Sequence, residues 1–504
     1  MACGAEQSRL WFVSWVKLFT ILAFPVVFSI GCLPYPVMEP PESLDMEGRI
    51  FIGKQFARWE IKKVIAMDKN GYMLAETTPV SNGTDFIWSL PVVTEENSIG
   101  TFWVEMRNGA DNITYYNEGS DERFISGGHY DLHVNQSYIP LINQNQLASI
   151  GKDAKYPSNG NYVLIRDITL SGVWDPLCIN GASPFSGVFD GHRKTIKRLV
   201  FPDETTYQYV GLFAYVSGAE LKNLNLEVTG ESMRLSEANE QCFGVLAGFA
   251  ENTAIDKITV NGHSRGLKIV KPGGGDFFVG GIAGKITGNS AITRSAMLFT
   301  IEVDAANAGA GYLGGIAGYA KLTDQVENTI KECYNRGSVI LSNTDADTYA
   351  GGIVGCHENG LVAVSTIIQC YASGEVSASG GGLAGIVAAG GLLGGTGSTG
   401  SNTGELEISK SCALMVSVSA SSTLSPNTSA GGLSGYGGSL SWSQDNFQLD
   451  TMTLKPSGVN QAVDGTPQNK AAFKETWFSA SLEWDFSLTW QWDAQAGYPK
   501  FLWQ

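Results

Sequence analysis

Short runs of alternating apolar and polar residues, broken by Gly, Asn and Ser, follow one another along most of this chain. "LKNLNLEVTG" (221–230), "IKECYNRGSVI" (330–340) and "IIQCYASGEVS" (367–377) put every second side chain on one face, the period of a half-buried strand. No stretch between 205 and 466 carries a sustained helical stripe. Upstream, "RWEIKKVIAMDKNGYMLAETTPV", "FIWSLPVV", "GTFWVEMRN", "ITYYNEG" and "HYDLHVNQ" show strand patterning without a repeat. They predict about six strands over 49–137, the size and pattern of an Ig-like β-sandwich.

A second period lies over the first. "VGLFAYV" at 210 is followed by "FGVLAGFA" at 243, "VGGIAGKI" at 279, "LGGIAGYA" at 313, "AGGIVGCH" at 350, "GGGLAGIV" at 380 and "AGGLSGYG" at 430. Aligned on the second small residue, the anchors are Gly211, Val245, Gly281, Gly315, Gly352, Gly382 and Gly432, at spacings of 34, 36, 34, 37, 30 and 50. The last spacing contains "GGLLGGTGSTGSNTG" (390–404), read as a low-complexity insert. Such a period marks a solenoid, propeller or array. Propeller blades usually need about 40 residues and four strands, more than these units supply, so the pattern favours a parallel β-solenoid over 205–466. The glycines serve its bends: "VGGIAGKI" lacks both the first Gly and the Ser or Thr after Lys that a phosphate loop requires.

The anchors and the "CYxxGxV" strands behind them resemble GLUG repeats, found in bacterial surface adhesins and beside IgA-protease-type peptidases. Residues 141–174 and 184–201 resemble the segment that opens such arrays, and "GYPKFLWQ" (497–504) resembles their usual end. The resemblance covers 139–504 and implies an all-β chain. A solenoid opening (138–204) leads into repeats (205–466) and a Trp-rich C-terminal cap (467–504) holding Trp477, Trp484, Trp490, Trp492 and Trp503. A cap is needed because the last coil would otherwise present a bare apolar face and a sheet edge.

Composition adds an address and removes partners. Acidic residues exceed basic ones by 16, with no basic stripe to overrule the balance, so nucleic acid is excluded as a partner. The apolar run Leu18 to Ile30 has the length of a signal-peptide core (1–31), too short to span a bilayer. "SIGC" at its end resembles the lipobox of bacterial lipoproteins, which implies lipidation of Cys32, and Leu33 after it favours the outer membrane. A proline-rich tether (32–48) follows.

Candidate chemistry is sparse. On a strand, His129, Asp131 and His133 of "HYDLH" share a face that could hold a metal ion, or could simply be solvated. "CHENG" (356–360) lacks the second His of a metallopeptidase helix, "NTDADT" (343–348) is a loop tip with calcium-like composition, and no G-x-S-x-G elbow occurs. Cys333, Cys370 and Cys412 are expected to stack as a buried thiol column, while Cys178, Cys242 and Cys356 are unassigned. Segments 231–242, 263–278, 304–312, 341–349 and 421–429 vary in length at one point of the repeat, with only 378–380 in another unit. They predict a loop edge with Arg265, Lys268 and Lys271 as candidate binding residues. The reading is a non-enzymatic, cofactor-free lipoprotein on the bacterial surface. It is anchored by its lipid and binds a protein or glycan of a host or neighbouring cell. A glycan-active β-helix enzyme and a passive spacer are the alternatives.

Overall fold

A computed structural model describes residues 45–504 except 55–58, 69–72, 84, 91–98, 109–111, 118–127, 135–136, 180, 182, 322–326, 359–363, 381–384, 398–404, 438–439, 443–444 and 457–461. The signal segment, Cys32, most of the tether and Gly382 therefore lie outside the described residues.

Residues 46–134 form the expected sandwich. Strands Met46–Ile52, Val80–Ser81, Phe86–Leu90 and Leu132–Val134 make one four-stranded sheet. Glu60–Asp68, Met73–Thr77, Ile99–Asn108 and Asn112–Asn117 make the other. Trp88, Phe102, Val104, Met106, Leu132 and Val134 fill the space between them. On the outside, Trp103 is buried with Ile65 against Tyr138 and Val163 of the following array, and its ring meets that of His192 edge-on at 5.0 Å.

From residue 139 onward the chain winds as a parallel β-solenoid, as the repeat predicts. One coil runs Phe277–Gly280, a turn, Ala283–Thr287, a bent pair Ala291–Thr293 and Ala296–Met297, and Ile301–Ala305. Equivalent strands pair in parallel from coil to coil, building four walls: a pre-turn sheet, a post-turn sheet, a kinked sheet and a fourth sheet. The inward columns, such as Val279–Leu313 and Ile286–Ala320, form one continuous apolar core. Helix Gln144–Ala148, capped by Asn143, adds Leu147 to that core at its N-terminal end.

The glycines at the turn solve a packing problem. There the outer faces of the pre-turn and post-turn sheets fold onto each other. A Cβ on Gly280 would lie 1.9 Å from the carbonyl oxygen of Ala283 and 2.7 Å from the amide of Gly318. No side chain fits, so the corner closes only with Gly.

Register corrects the anchor alignment twice. Ile353 donates its N–H to the carbonyl of Leu392 at 2.8 Å, and Leu392 to that of Leu433 at 2.9 Å. The turn after Gly352 is therefore at Gly391, inside the stretch read as an insert, and not at Gly382. Intervals from Val245 become 36, 34, 37, 39 and 41. At the first turn, Tyr209 pairs with Cys242 but Phe213 with Ala247. That turn is one residue shorter, which leaves Gly211 at the place of Gly244 rather than Val245.

The kinked sheet bends at Asn223, Lys257, Arg294, Glu332, Gln369 and Lys410, one per coil, all left-handed with φ between 46° and 55°. The next residue turns inward. Ile258 donates its N–H to Ser295 Oγ at 3.1 Å, and Cys370 to Ser411 Oγ at 3.1 Å. The polar column is thus Ser295, Cys333, Cys370 and Ser411. Cys412 is not its third thiol: it pairs with Tyr371, one position on.

The C-terminal segment also departs from expectation. The last coil is closed by residues 463–468, where Leu433 donates its N–H to the carbonyl of Val463 at 2.8 Å and Thr466–Gln468 pairs with Phe447–Leu449. The Trp-rich remainder runs back along the kinked sheet as a strap. It comprises helix Glu475–Leu482 and the hairpin Trp490–Asp493 with Tyr498–Phe501. Trp477 packs on Phe447 of the last coil, Trp490 on Tyr334 and Tyr371, and Gln504 Nε2 reaches Thr259 Oγ1 at 3.0 Å. Tyr334, Tyr371 and Phe447 stand in one column beside the kink, and a lengthwise cover buries more of it than a plug on the last coil could.

Candidate functional site

The pre-turn strands raise an outward column of Tyr209, Cys242, Phe278, Tyr312, Tyr349 and Ala388. The post-turn strands answer with Tyr215, Phe249, Lys285, Tyr319, Cys356, Gly395 and Tyr436. Because the glycine corner draws the two sheets' outer faces together, these columns meet in a seam outside the core. Tyr209, Tyr215, Phe249, Tyr312 and Tyr436 remain half-buried.

Rings in the seam stack along the axis. Phe278 and Tyr312 lie 5.0 Å apart at 11°, Tyr312 and Tyr349 5.4 Å apart at 7°, and Tyr215 and Phe249 4.9 Å apart at 17°. Within these stacked pairs the facing surfaces are covered, so a ligand running along them meets ring edges. Lys285 Nζ stands 4.7 Å from the Phe278 centroid and 2.8 Å from Glu240 of the loop edge. Opposite, Tyr215 donates to Glu251 at 2.6 Å, and Tyr319 donates to Glu358, which also pairs with Lys321 at 3.2 Å.

Burial raises the Tyr209 hydroxyl to about 12 and pushes those of Tyr215, Tyr312, Tyr319 and Tyr349 upward as well. It does the same to the Cys242 and Cys356 thiols. These groups are neutral donors at physiological pH, not nucleophiles.

The residues singled out from sequence are dispersed. His129 Nε2 lies 3.1 Å from Asp131 Oδ1, but Asp131 is gripped by Arg49 at 2.9 Å, and His133 stacks on Phe51 with centroids 4.8 Å apart. Among the described residues no three His, Cys, Asp or Glu side chains are grouped to hold an ion. His357 takes an inward position in register with Ala320. Asp345 and Asp347 of "NTDADT" accept the backbone N–H groups of Asn307 and Ile386, at 2.7 and 2.8 Å, and so tie neighbouring coils. Of the six thiols in the described residues, all are free and buried.

The variable segments share one edge, but they are not free loops. Strands Ser232–Leu235 and Leu267–Lys271 of the fourth sheet lie within them, and Val339–Asn343 runs into the 341–349 segment. The short connections left over bond to one another, as Gly275 N–H to Ala238 O at 2.8 Å and Ala310 N–H to Asp276 Oδ1 at 2.8 Å. Arg265 pairs with Glu231 at 3.3 Å and Lys268 with Glu302 at 2.9 Å. Lys271 is no binding residue: it is fully buried, donating to Glu237 O at 2.5 Å and Gln241 Oε1 at 3.1 Å. The buried amide oxygen of Gln241 and the part-buried carbonyl of Glu237 call for a donor there.

Sequence reasoning missed the seam, although its signal was present. An aromatic recurs three residues before the anchor (Phe278, Tyr312, Tyr349), and a large or polar residue four after it (Lys285, Tyr319).

No family model matches the chain, and no curated protein does. A solved structure titled "IgA1 Protease" superposes at 16% identity and a TM-score of 0.39, over 79% of this chain and 29% of that one. The chain thus spans less than a third of that protein, and the solenoid assignment stands on its own register.

Proposed function

We propose that this chain is a non-enzymatic, surface-anchored binding protein of the GLUG-repeat adhesin kind. Cys32 carries its lipid in a bacterial outer membrane, and the solenoid presents the seam to a glycan or protein of another cell. One observation carries the reading: the double aromatic column lies outside a core that is already continuous without it. Tyrosine suits such a surface, since it contributes large area and a hydroxyl donor at low entropic cost. Carboxylates of the seam, Glu251 and Glu358, are engaged by tyrosine hydroxyls, which favours binding over glycan cleavage. Arrays of surface glycans and proteins, with products followed alongside retention, test this. Retention without turnover, lost in Tyr209→Ala/Tyr312→Ala with the β-sheet content kept as judged by circular dichroism, is expected. Conversion of the ligand, or full retention by that variant, defeats the reading.

A further inference from the structure

The strap carries a cleft of its own. Residues at the start of helix Glu475–Leu482 and in the turn of the C-terminal hairpin enclose about 480 Å³. Small-molecule sites commonly span about 300–1,000 Å³. The floor is apolar, made by buried Phe473, half-buried Trp492 and Gly497, where an added Cβ would meet nothing within 4 Å. The rim is polar, with Lys474, Glu475 and Thr476 all exposed. Among the described residues these three side chains have no hydrogen-bond or ion-pair partner. Lys470, also on the rim, holds its Nζ 5.4 Å from the Tyr498 ring.

Both walls are fixed without a ligand. Asn469 Oδ1 accepts from the Ala471 N–H at 2.9 Å, and Phe473 meets Trp477 edge-on with centroids 4.7 Å apart. Across the cleft, Asp493 closes the hairpin turn. Its Oδ1 accepts from the Ala496 N–H at 3.2 Å, and its carbonyl from that of Gly497 at 2.7 Å. The left-handed φ of 72° at Gly497 suits a residue without a side chain, which leaves the floor clear. A preformed cleft loses little freedom when it is filled.

The rim selects the class of ligand. The Glu475 carboxylate accepts hydrogen bonds, the Lys474 ammonium donates them, and the Thr476 hydroxyl does both. A purely apolar guest would strip water from these groups and return no partner. A simple anion would face Glu475 as well as the lysines. A ring with one apolar face and a fringe of hydroxyls satisfies floor and rim together. We propose that this cleft binds a pyranose unit of a glycan, its C–H face on the Trp492 indole and its hydroxyls on Lys474, Glu475 and Thr476. The inference does not rest on the seam, which other walls of the solenoid build.

Saturation-transfer NMR of the full chain with the methyl glycosides of glucose, galactose, mannose and N-acetylglucosamine decides it. Saturable binding of at least one is expected, weakened about tenfold or more in Trp492→Ala and largely restored in Trp492→Tyr. Glu475→Gln should weaken it several-fold. Ala471→Trp, at an exposed position lining the cleft, should block binding while removing none of the proposed contacts. The bound glycoside should raise the wild-type melting temperature. Tighter binding of an oligosaccharide than of its own methyl glycoside identifies a polymer as the source; equal affinities identify a single sugar unit. No saturable binding by the wild type, or equal binding by Ala471→Trp and Glu475→Gln folded as judged by circular dichroism, overturns the site. Binding kept in Ala471→Trp but lost in Tyr209→Ala/Tyr312→Ala belongs to the seam and overturns it as well.

Discussion

The backbone N–H of Cys333 donates to the Sγ of Cys370, one coil further on, at 3.4 Å. The left-handed corner before each of these residues turns an amide toward the next coil, where Ser295 and Ser411 supply an oxygen in the same role. Polarity at this position outweighs the thiol. Cys370→Ser should therefore change stability by less than about 1 kcal/mol, while Cys370→Val, which strands a buried N–H, should cost about 1–3 kcal/mol. Denaturant unfolding of both variants checks the order; a valine variant as stable as the serine one contradicts it.

At Gly352, an added Cβ would meet the carbonyl oxygen of Gly391 at 2.0 Å and the Cβ of Ala372 at 2.6 Å. Gly352→Val should destabilise by about 3 kcal/mol, since both neighbours belong to packed coils. Gly218, at φ 66° with open space around it, is the comparison. Gly218→Ala should cost only about 1–2 kcal/mol of backbone strain. Melting temperatures of the two variants separate steric closure from conformational preference.

The strap is held by aromatic burial. Trp490 stacks on Trp484 at 4.5 Å and 21°, and Arg336 donates to the carbonyl of Pro499 at 2.9 Å. Trp490→Ala should cost about 3–5 kcal/mol. Truncation before Lys470 should uncover Tyr334 and Tyr371 and give dye binding at exposed apolar surface with the parallel sheets retained. A truncated chain that binds no more dye than the whole would show that the strap covers nothing.

Acid should loosen the contact between sandwich and solenoid. Burial lowers His192 from 6.5 to about 3, so between those values the unfolded chain holds a proton that the folded one does not. Stability contributed by the neutral ring is present above 6.5 and lost as pH falls toward 3. Asp190 is raised by burial, so stability tied to its proton declines as pH rises above 3.8, the opposite slope. His192→Asn, which suits the left-handed φ of 47°, should flatten the fall in melting temperature between pH 6.5 and 4. An unaltered slope in that variant rejects the assignment.

Alternation, glycine and a recurring octamer determined the class of this protein. Strand period, a repeat near 36 residues and turns that admit no Cβ are local properties, and each is legible one coil at a time. The shift from Gly382 to Gly391 shows the limit. Both lie in Gly-rich octamers of similar composition, and only the hydrogen bonds from Ile353 to Leu392 choose between them. Left-handed corners at Lys257, Arg294 and Glu332 carry no glycine, because stacking against the coils on either side holds them in place. Lys271 reads as a surface cation until its neighbours, Glu237 and Gln241, close over it. The direction of the strap and the meeting of two aromatic columns in a seam join residues far apart in the chain, Gln504 and Thr259 among them. Sequence period fixes what repeats along the axis; which walls meet, and what lies across them, depends on packing between segments that no local pattern links.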